Sequence, residues 1–205
     1  MNKKTKNILI FSSISMVLIF LFLKKKIKEM QTTEGSNNNN MFTDKKDYLI
    51  TLLPFAKQIQ NKYGIPYLFL LAQTAIETEY GKHTPGNNFG GIKAKPGQDF
   101  NLLWTTEHVS DVSKYPNRDK SKDKPLPNGK TSIRVQQKFA KYPDIETGLK
   151  EYIKILLLDR YKAAYNFTDP KLFAAEIKKG GYATDVNYTA KLSKMIDNVK
   201  LILNT

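Results

Sequence analysis

The chain has 205 residues, 40% of them hydrophobic, with 11 phenylalanines and 11 tyrosines: enough for one packed domain with accessory segments rather than two large domains. It has no cysteine, which excludes a disulfide framework, a thiolate metal site and a cysteine nucleophile, and with only two histidines, His83 and His108, a multi-histidine metal centre is not expected. Of the formal charge of +14, residues 1–43 carry +5 and the remainder +9, so the excess belongs mainly to the folded part and favours an anionic partner (nucleic acid, anionic lipid or an anionic cell wall), unless the lysines serve solubility alone.

The N-terminus, residues 1–7, is basic. Residues 8–23, "ILIFSSISMVLIFLFL", carry no charge. As a helix they span about 24 Å, short of a ~30 Å hydrocarbon core, and the lysines at both ends can snorkel to make up the difference. A cleaved signal peptide is the competing reading. Its cleavage site needs small residues, whereas this run ends in Phe-Leu and three lysines, so an uncleaved transmembrane anchor is expected. Residues 24–43 contain "QTTEGSNNNN", polar and low in complexity, and read as a linker. A folded domain is expected over 44–205.

In that domain, "DKKDYLITLLPFAKQIQNKYG" has apolar residues at helical spacing, with Asp44 as N-cap, Gly64 as stop and a kink or break at Pro54. "IPYLFLLAQTAIETEYG" starts near Pro66 and stops at Gly81; it is apolar on nearly every side from Tyr67 to Ile76, which predicts a central buried helix. From Gly86 to about Tyr142 the pattern turns to Gly, Pro, Asn and Asp, with short runs such as "LLWTTEHV" and "TSIRVQQKFAKY". These read as strands of a small lobe with long loops, the lysine-rich stretch from Lys114 to Lys130 being one of the loose segments. Helices resume with "DIETGLKEYIKILLLDRY", "DPKLFAAEIKKGG" and "NYTAKLSKMIDNVKLIL", the last with Asp185 as its expected cap.

The end of the buried helix holds two glutamates, Glu77 and Glu79. Residues two apart on a helix point about 200° apart, so the two cannot face one cleft. Glu77 shares a face with Gln73 and Thr74, and the same reading puts Tyr80 and Gly81 there; Glu79 is the solvent or ion-pairing glutamate. At the C-terminal end of a helix the dipole disfavours negative charge, and burial against apolar groups does the same. Both raise a carboxyl pKa toward that of a general acid. From spacing alone, a structural role in a buried ion pair is the somewhat favoured reading.

Five blocks resemble glycoside hydrolase family 73, the lysozyme-like β-N-acetylglucosaminidases of flagellar-muramidase and autolysin type. "AQTAIETEYGKH" is similar to the segment around that family's catalytic glutamate. "NNFGGIKA" (87–94) resembles its Asn-Asn-aromatic-Gly-Ile-Lys block, and "WTTEHV" (104–109) its Thr-Thr-Glu stretch. "KFAKYPDIETGLKEY" resembles a segment leading into a helix, and "GGYATDVNYTAKL" (180–192) a Gly-Tyr-Ala-Thr-Asp block. The blocks follow the family's order across residues 45–203. Gly90 departs from the more usual Phe, Val186 from Pro, and the insert at 114–130 is additional.

The resemblance implies a mainly α, α+β fold: a lysozyme-like helical domain with a small β-lobe flanking a cleft. It implies hydrolysis of the β-1,4 bond between N-acetylglucosamine and N-acetylmuramic acid in peptidoglycan. Glu77 is then the proton donor. Glu107 is either the base on a water molecule or a supporting group for attack by the substrate's own acetamido group. Tyr182 packs against sugar or orients the N-acetyl group, and Asn88, Phe89 and Trp104 line the sugar groove. No cofactor or metal is implied, and a monomer is expected. A muramidase, a lytic transglycosylase or a non-catalytic wall-binding module are the alternatives; nucleic acid is not expected, since no recognition motif accompanies the charge. With this substrate the domain belongs outside the cytoplasmic membrane, held by the 8–23 span, or secreted if that segment is cleaved, or phage-encoded. The lysines at 24–26 run against the positive-inside tendency, and a domain protected from protease on intact spheroplasts would refute this orientation.

Overall fold

The computed structural model describes residues 41–205. The expected anchor at 8–23 and all but the last residues of the linker lie outside them. Among the described residues no helix is long and apolar enough to cross a membrane.

Helix α1, Lys45–Tyr63, begins where Asp44 accepts hydrogen bonds from the backbone N–H groups of Lys46 and Asp47. It ends at Gly64, whose φ of 73° suits a residue without a Cβ. The expected kink or break at Pro54 does not interrupt it: Pro54 is exposed, so the hydrogen bond it forfeits lies on the side where water can replace it. α2, Tyr67–Thr78, is the central helix, buried from Phe69 to Ala75. It contacts α1, α4 (Pro170–Lys179) and α5 (Tyr188–Leu203).

α2 ends earlier than Gly81. Glu79 and Tyr80 take left-handed backbone conformations with φ of 51° and 56°, unusual for residues bearing side chains. The Thr78 hydroxyl, fully buried, donates to Thr74 O and accepts from the N–H of Gly81, stitching the turn to the last helical carbonyls. Gly81 is required there: its φ is 81°, and a Cβ would lie 2.2 Å from the ring of Phe42.

The β-lobe is a three-stranded antiparallel sheet in the order β1-β3-β2. β1, Phe100–Val109, pairs with β3, Thr131–Ala140, from Phe100 opposite Ala140 to Val109 opposite Thr131. The segment expected to be loose carries β2, Asp119–Pro125, which pairs with β3 across an irregularity between Asp119 and Lys124. Its sequence, DKSKDKP, has no apolar alternation. An edge strand with polar faces needs only the ladder supplied by its neighbour, and lysines on such an edge discourage pairing with other chains. The Arg118–Asp123 ion pair, at 2.8 Å, ties the residue before β2 to its interior.

α3, Ile145–Leu156, is capped by Asp144, which accepts from the N–H of Thr147. 3-10 turns follow over Asp159–Asn166, then α4, capped by Asp169, and α5. Asp185, the expected cap of α5, does not cap it: Asn187 occupies that position, and Asp185 instead accepts from the N–H of Asn187 and pairs with Lys191 at 2.6 Å. α3 approaches the loop after α2 closely at Gly148, where a Cβ would meet the carbonyl oxygen of Asn87 at 1.9 Å.

Candidate active site

Glu77 sits one residue from the end of α2, its side chain partly buried. Gln73, one turn earlier on the same face, donates from Nε2 to Glu77 Oε1 at 2.8 Å. The same nitrogen lies 3.2 Å from the Tyr182 hydroxyl, and the Tyr182 hydroxyl lies 3.0 Å from that of Tyr152. Tyr188 donates to Gln73 Oε1 at 2.6 Å. Four elements therefore converge on one carboxyl: α2, α3 through Tyr152, the turn after α4 through Tyr182, and α5 through Tyr188. Burial removes water from Glu77 and pushes its pKa up to about 7, against the lowering pull of the Gln73 and Tyr182 hydrogen bonds. Burial likewise holds the Tyr152, Tyr182 and Tyr188 hydroxyls well above the usual phenol value, so they stay neutral donors and acceptors. A carboxyl that is half protonated near neutrality, with part of its surface still open to solvent, can give a proton to a substrate.

Glu107 lies on β1 opposite Ile133, on the sheet face that also presents the buried Val135 and Phe139. Its side chain is 17% exposed and pairs with Lys93 at 3.1 Å. A second carboxyl group on the inner face of the lobe is thus paired with a lysine from the loop that follows α2. Among the described residues no cluster of three or more His, Asp and Glu side chains is arranged to hold a metal ion.

The glucosaminidase family profile, described as mannosyl-glycoprotein endo-beta-N-acetylglucosaminidase, matches residues 53–201, a stretch that contains both carboxylates and every member of the network around Glu77. The chain belongs to this family, glycoside hydrolase family 73.

The chain is 27% identical to the peptidoglycan hydrolase FlgJ of Salmonella typhimurium over 183 residues, 84% of this chain and 52% of that protein. To the FlgJ of Pseudomonas aeruginosa it is 26% identical over 78% of this chain and 38% of that protein. The chain thus spans about half or less of the length of these curated relatives. The solved glycoside hydrolase domain of Salmonella FlgJ superimposes with a TM-score of 0.60 at 26% identity, over 79% of this chain and 92% of that domain. The catalytic domain of the autolysin Auto from Listeria monocytogenes gives 0.60 at 22% identity, over 89% of this chain and 97% of that domain, a likeness of fold.

The residues expected to line a sugar groove divide. Phe89 does not line it: it is 1% exposed and belongs to the hydrophobic core. Nor is Asn88 free to meet a sugar. Its amide donates to the carbonyls of Ile92 and Ala140 and its oxygen accepts from the N–H of Ile92, a clamp that joins the loop to the end of β3. Trp104 is 44% exposed, with the Arg134 guanidinium over its ring, but alternation along β1 puts it on the opposite sheet face from Glu107. Tyr182 is buried with its hydroxyl turned to Gln73 and Tyr152, so it stands in the network beside Glu77 and offers no open platform to a sugar. Glu79 pairs with Lys82 and His83, as its position predicts. Tyr80, expected on the Glu77 face, turns away with the left-handed backbone and packs against Tyr48 and Met195.

Sequence reasoning named Gln73 as a neighbour without a role and missed Tyr152 and Tyr188. Tyr152 lies in the amphipathic stripe of α3, where a tyrosine reads as core. Tyr188 stands six residues after Tyr182 in the "GGYATDVNYTAKL" block, and that repetition of tyrosine was the available signal.

Proposed function

We propose that residues 44–205 hydrolyse the β-1,4 bond between N-acetylglucosamine and N-acetylmuramic acid in peptidoglycan, with Glu77 as general acid. The observation that carries this reading is the Glu77 carboxyl with its pKa near 7 inside a family-73 domain. The FlgJ relatives, named as peptidoglycan hydrolases, supply the substrate class.

In this mechanism the Glu77 proton passes to the glycosidic oxygen as the C1–O bond breaks, and positive charge develops at the sugar ring. The Glu107 carboxylate, oriented by Lys93, stabilises that charge and takes a proton from the water that bonds to C1. Attack by the substrate's acetamido oxygen is the other route to the same products; it leaves Glu107 the electrostatic part alone. Tyr182 and Gln73 hold the acid from the protein side. The basic body, +9 beyond residue 43, suits an anionic wall polymer. The substrate sets the location: the domain works outside the cytoplasmic membrane, with 8–23 as its anchor.

The test is the chemistry of the new chain ends. The full chain and its Glu77→Gln variant are given peptidoglycan, and the products are reduced with borohydride and weighed by mass spectrometry. Reduced N-acetylglucosamine ends, absent with the variant, are expected. Reduced N-acetylmuramic ends would make the enzyme a muramidase, 1,6-anhydro ends a transglycosylase, and no ends with wall binding intact a binding module.

A further inference from the structure

Gln73 has an amide that could face Glu77 by either end, and the two orientations have opposite consequences. With Nε2 toward the carboxyl, the amide donates and Oε1 of Glu77 is occupied as an acceptor. With the amide reversed, its oxygen would accept from a protonated Glu77 and draw the acid proton inward. The distances discriminate between these. The contact from Tyr188 to the outer end of the amide is 2.6 Å. That length suits an O–H donating to a carbonyl oxygen and is short for an N–H donating to a hydroxyl. Of the inner contacts, the 3.2 Å to Tyr182 is long for an O–H donor and suits an N–H, while the 2.8 Å to Glu77 fits either orientation. Gln73 is fully buried, so no water can substitute for Tyr188 as the outer partner.

We propose that Tyr188 is a positioning residue for the reaction: by donating to Gln73 Oε1 it locks the amide with Nε2 on Glu77 Oε1, and so confines the acid proton to Glu77 Oε2, the oxygen that Gln73 leaves free. This rests on the reading of Glu77 as the acid. Tyr188 lies 115 residues from Gln73 along the chain, on the first turn of α5. It acts through Gln73, and the Tyr182 ring is its neighbour, centroids 5.7 Å apart. The titratable groups facing Glu77 are Tyr152 from α3, Tyr182 from the turn after α4 and Tyr188 itself, all held neutral by burial, so a change in the Glu77 titration reports the hydrogen bonds and no neighbouring charge.

Tyr188→Phe removes one hydroxyl and keeps the ring. It frees Gln73 to reverse, which favours the protonated carboxyl while turning its proton away from the substrate. The protonated form of Glu77 should therefore gain population while activity falls, the reverse of what a simple gain of acid form would give. In the full chain in detergent micelles, with glutamate labelled at the carboxyl carbon, the Glu77 signal is identified by its loss in Glu77→Gln. Tyr188→Phe should raise its midpoint by about one pH unit, the scale of one hydrogen bond to a charged group. The same variant should lower kcat on peptidoglycan about tenfold, a fraction of what a general acid supplies, with KM unchanged. In a Gln73→Met background the Tyr188→Phe change should do nothing further, since its only route is gone. An unshifted Glu77 titration in Tyr188→Phe, or a Tyr188→Phe effect that persists in full beside Gln73→Met, overturns the proposal while Glu77→Gln remains inactive. An active Glu77→Gln would overturn the acid reading itself, and with it the catalytic half of this one.

Discussion

Glu77 is disfavoured as an anion where it stands, and that has a consequence for stability. Its folded pKa of about 7 lies above the ordinary 4.5, so between these values the folded chain keeps a proton that the unfolded chain releases. Stability is thus lost as pH rises through that window. The full gap corresponds to about 3 kcal/mol, an upper bound because the side chain keeps some solvent access. Glu77→Gln has no proton to release. Its melting temperature relative to the parent should rise from pH 5 to pH 8; parallel curves at the two pH values would contradict the raised pKa. Gly90 is a second residue with a local reason. A Cβ there would lie 2.6 Å from the ring of Tyr152, which in turn reaches the Tyr182 hydroxyl. The glycine in place of the family's more usual Phe leaves that ring its position beside the acid.

Among the elements, α2 decides the site, and its end is held by conformation more than by composition. Two left-handed residues with side chains are stabilised by the Thr78 hydroxyl and by Gly81. Gly81→Ala meets both the left-handed φ and the Phe42 ring, and should lower the urea midpoint by an amount worth about 2–4 kcal/mol with an unchanged slope. An unchanged midpoint would mean that Phe42 and the turn move aside freely. The apolar run of α2 was plain in the sequence, as were Asp44, Gly64 and the strands β1 and β3, because burial and capping leave periodic or positional marks. The stop at Thr78 was not, since nothing in "ETEYG" marks Glu79 and Tyr80 as left-handed. Strand β2 was unreadable for another reason: with both faces polar, its pairing depends only on the neighbour. Phe89 was misjudged because an aromatic residue between two asparagines looks like a loop tip, whereas the Asn88 clamp turns that loop inward.

For the whole molecule, the site is a product of contacts between distant segments. Gln73 meets Tyr182 and Tyr188 across 109 and 115 residues, separations that no local pattern reports. The family blocks pointed to Glu77, Glu107 and Tyr182, but only the contacts of Gln73 with Tyr182 and Tyr188, and of Tyr182 with Tyr152, show what surrounds the Glu77 carboxyl and why its pKa rises to about 7. The β-lobe adds an exposed outer face with Phe100, Leu102 and Trp104 about half open, Lys138 standing over Phe100 and Arg134 over Trp104. In the proposed mechanism one carboxyl, Glu77, supplies the proton for glycoside cleavage. The most direct test is the pH dependence of kcat/KM for the full chain on peptidoglycan fragments of defined length. Because the acid form is the active one, the rate should fall as pH rises through about 7, and Glu77→Gln should abolish it. A rate that stays level to pH 9, or a Glu77→Gln variant that retains activity, would contradict the account.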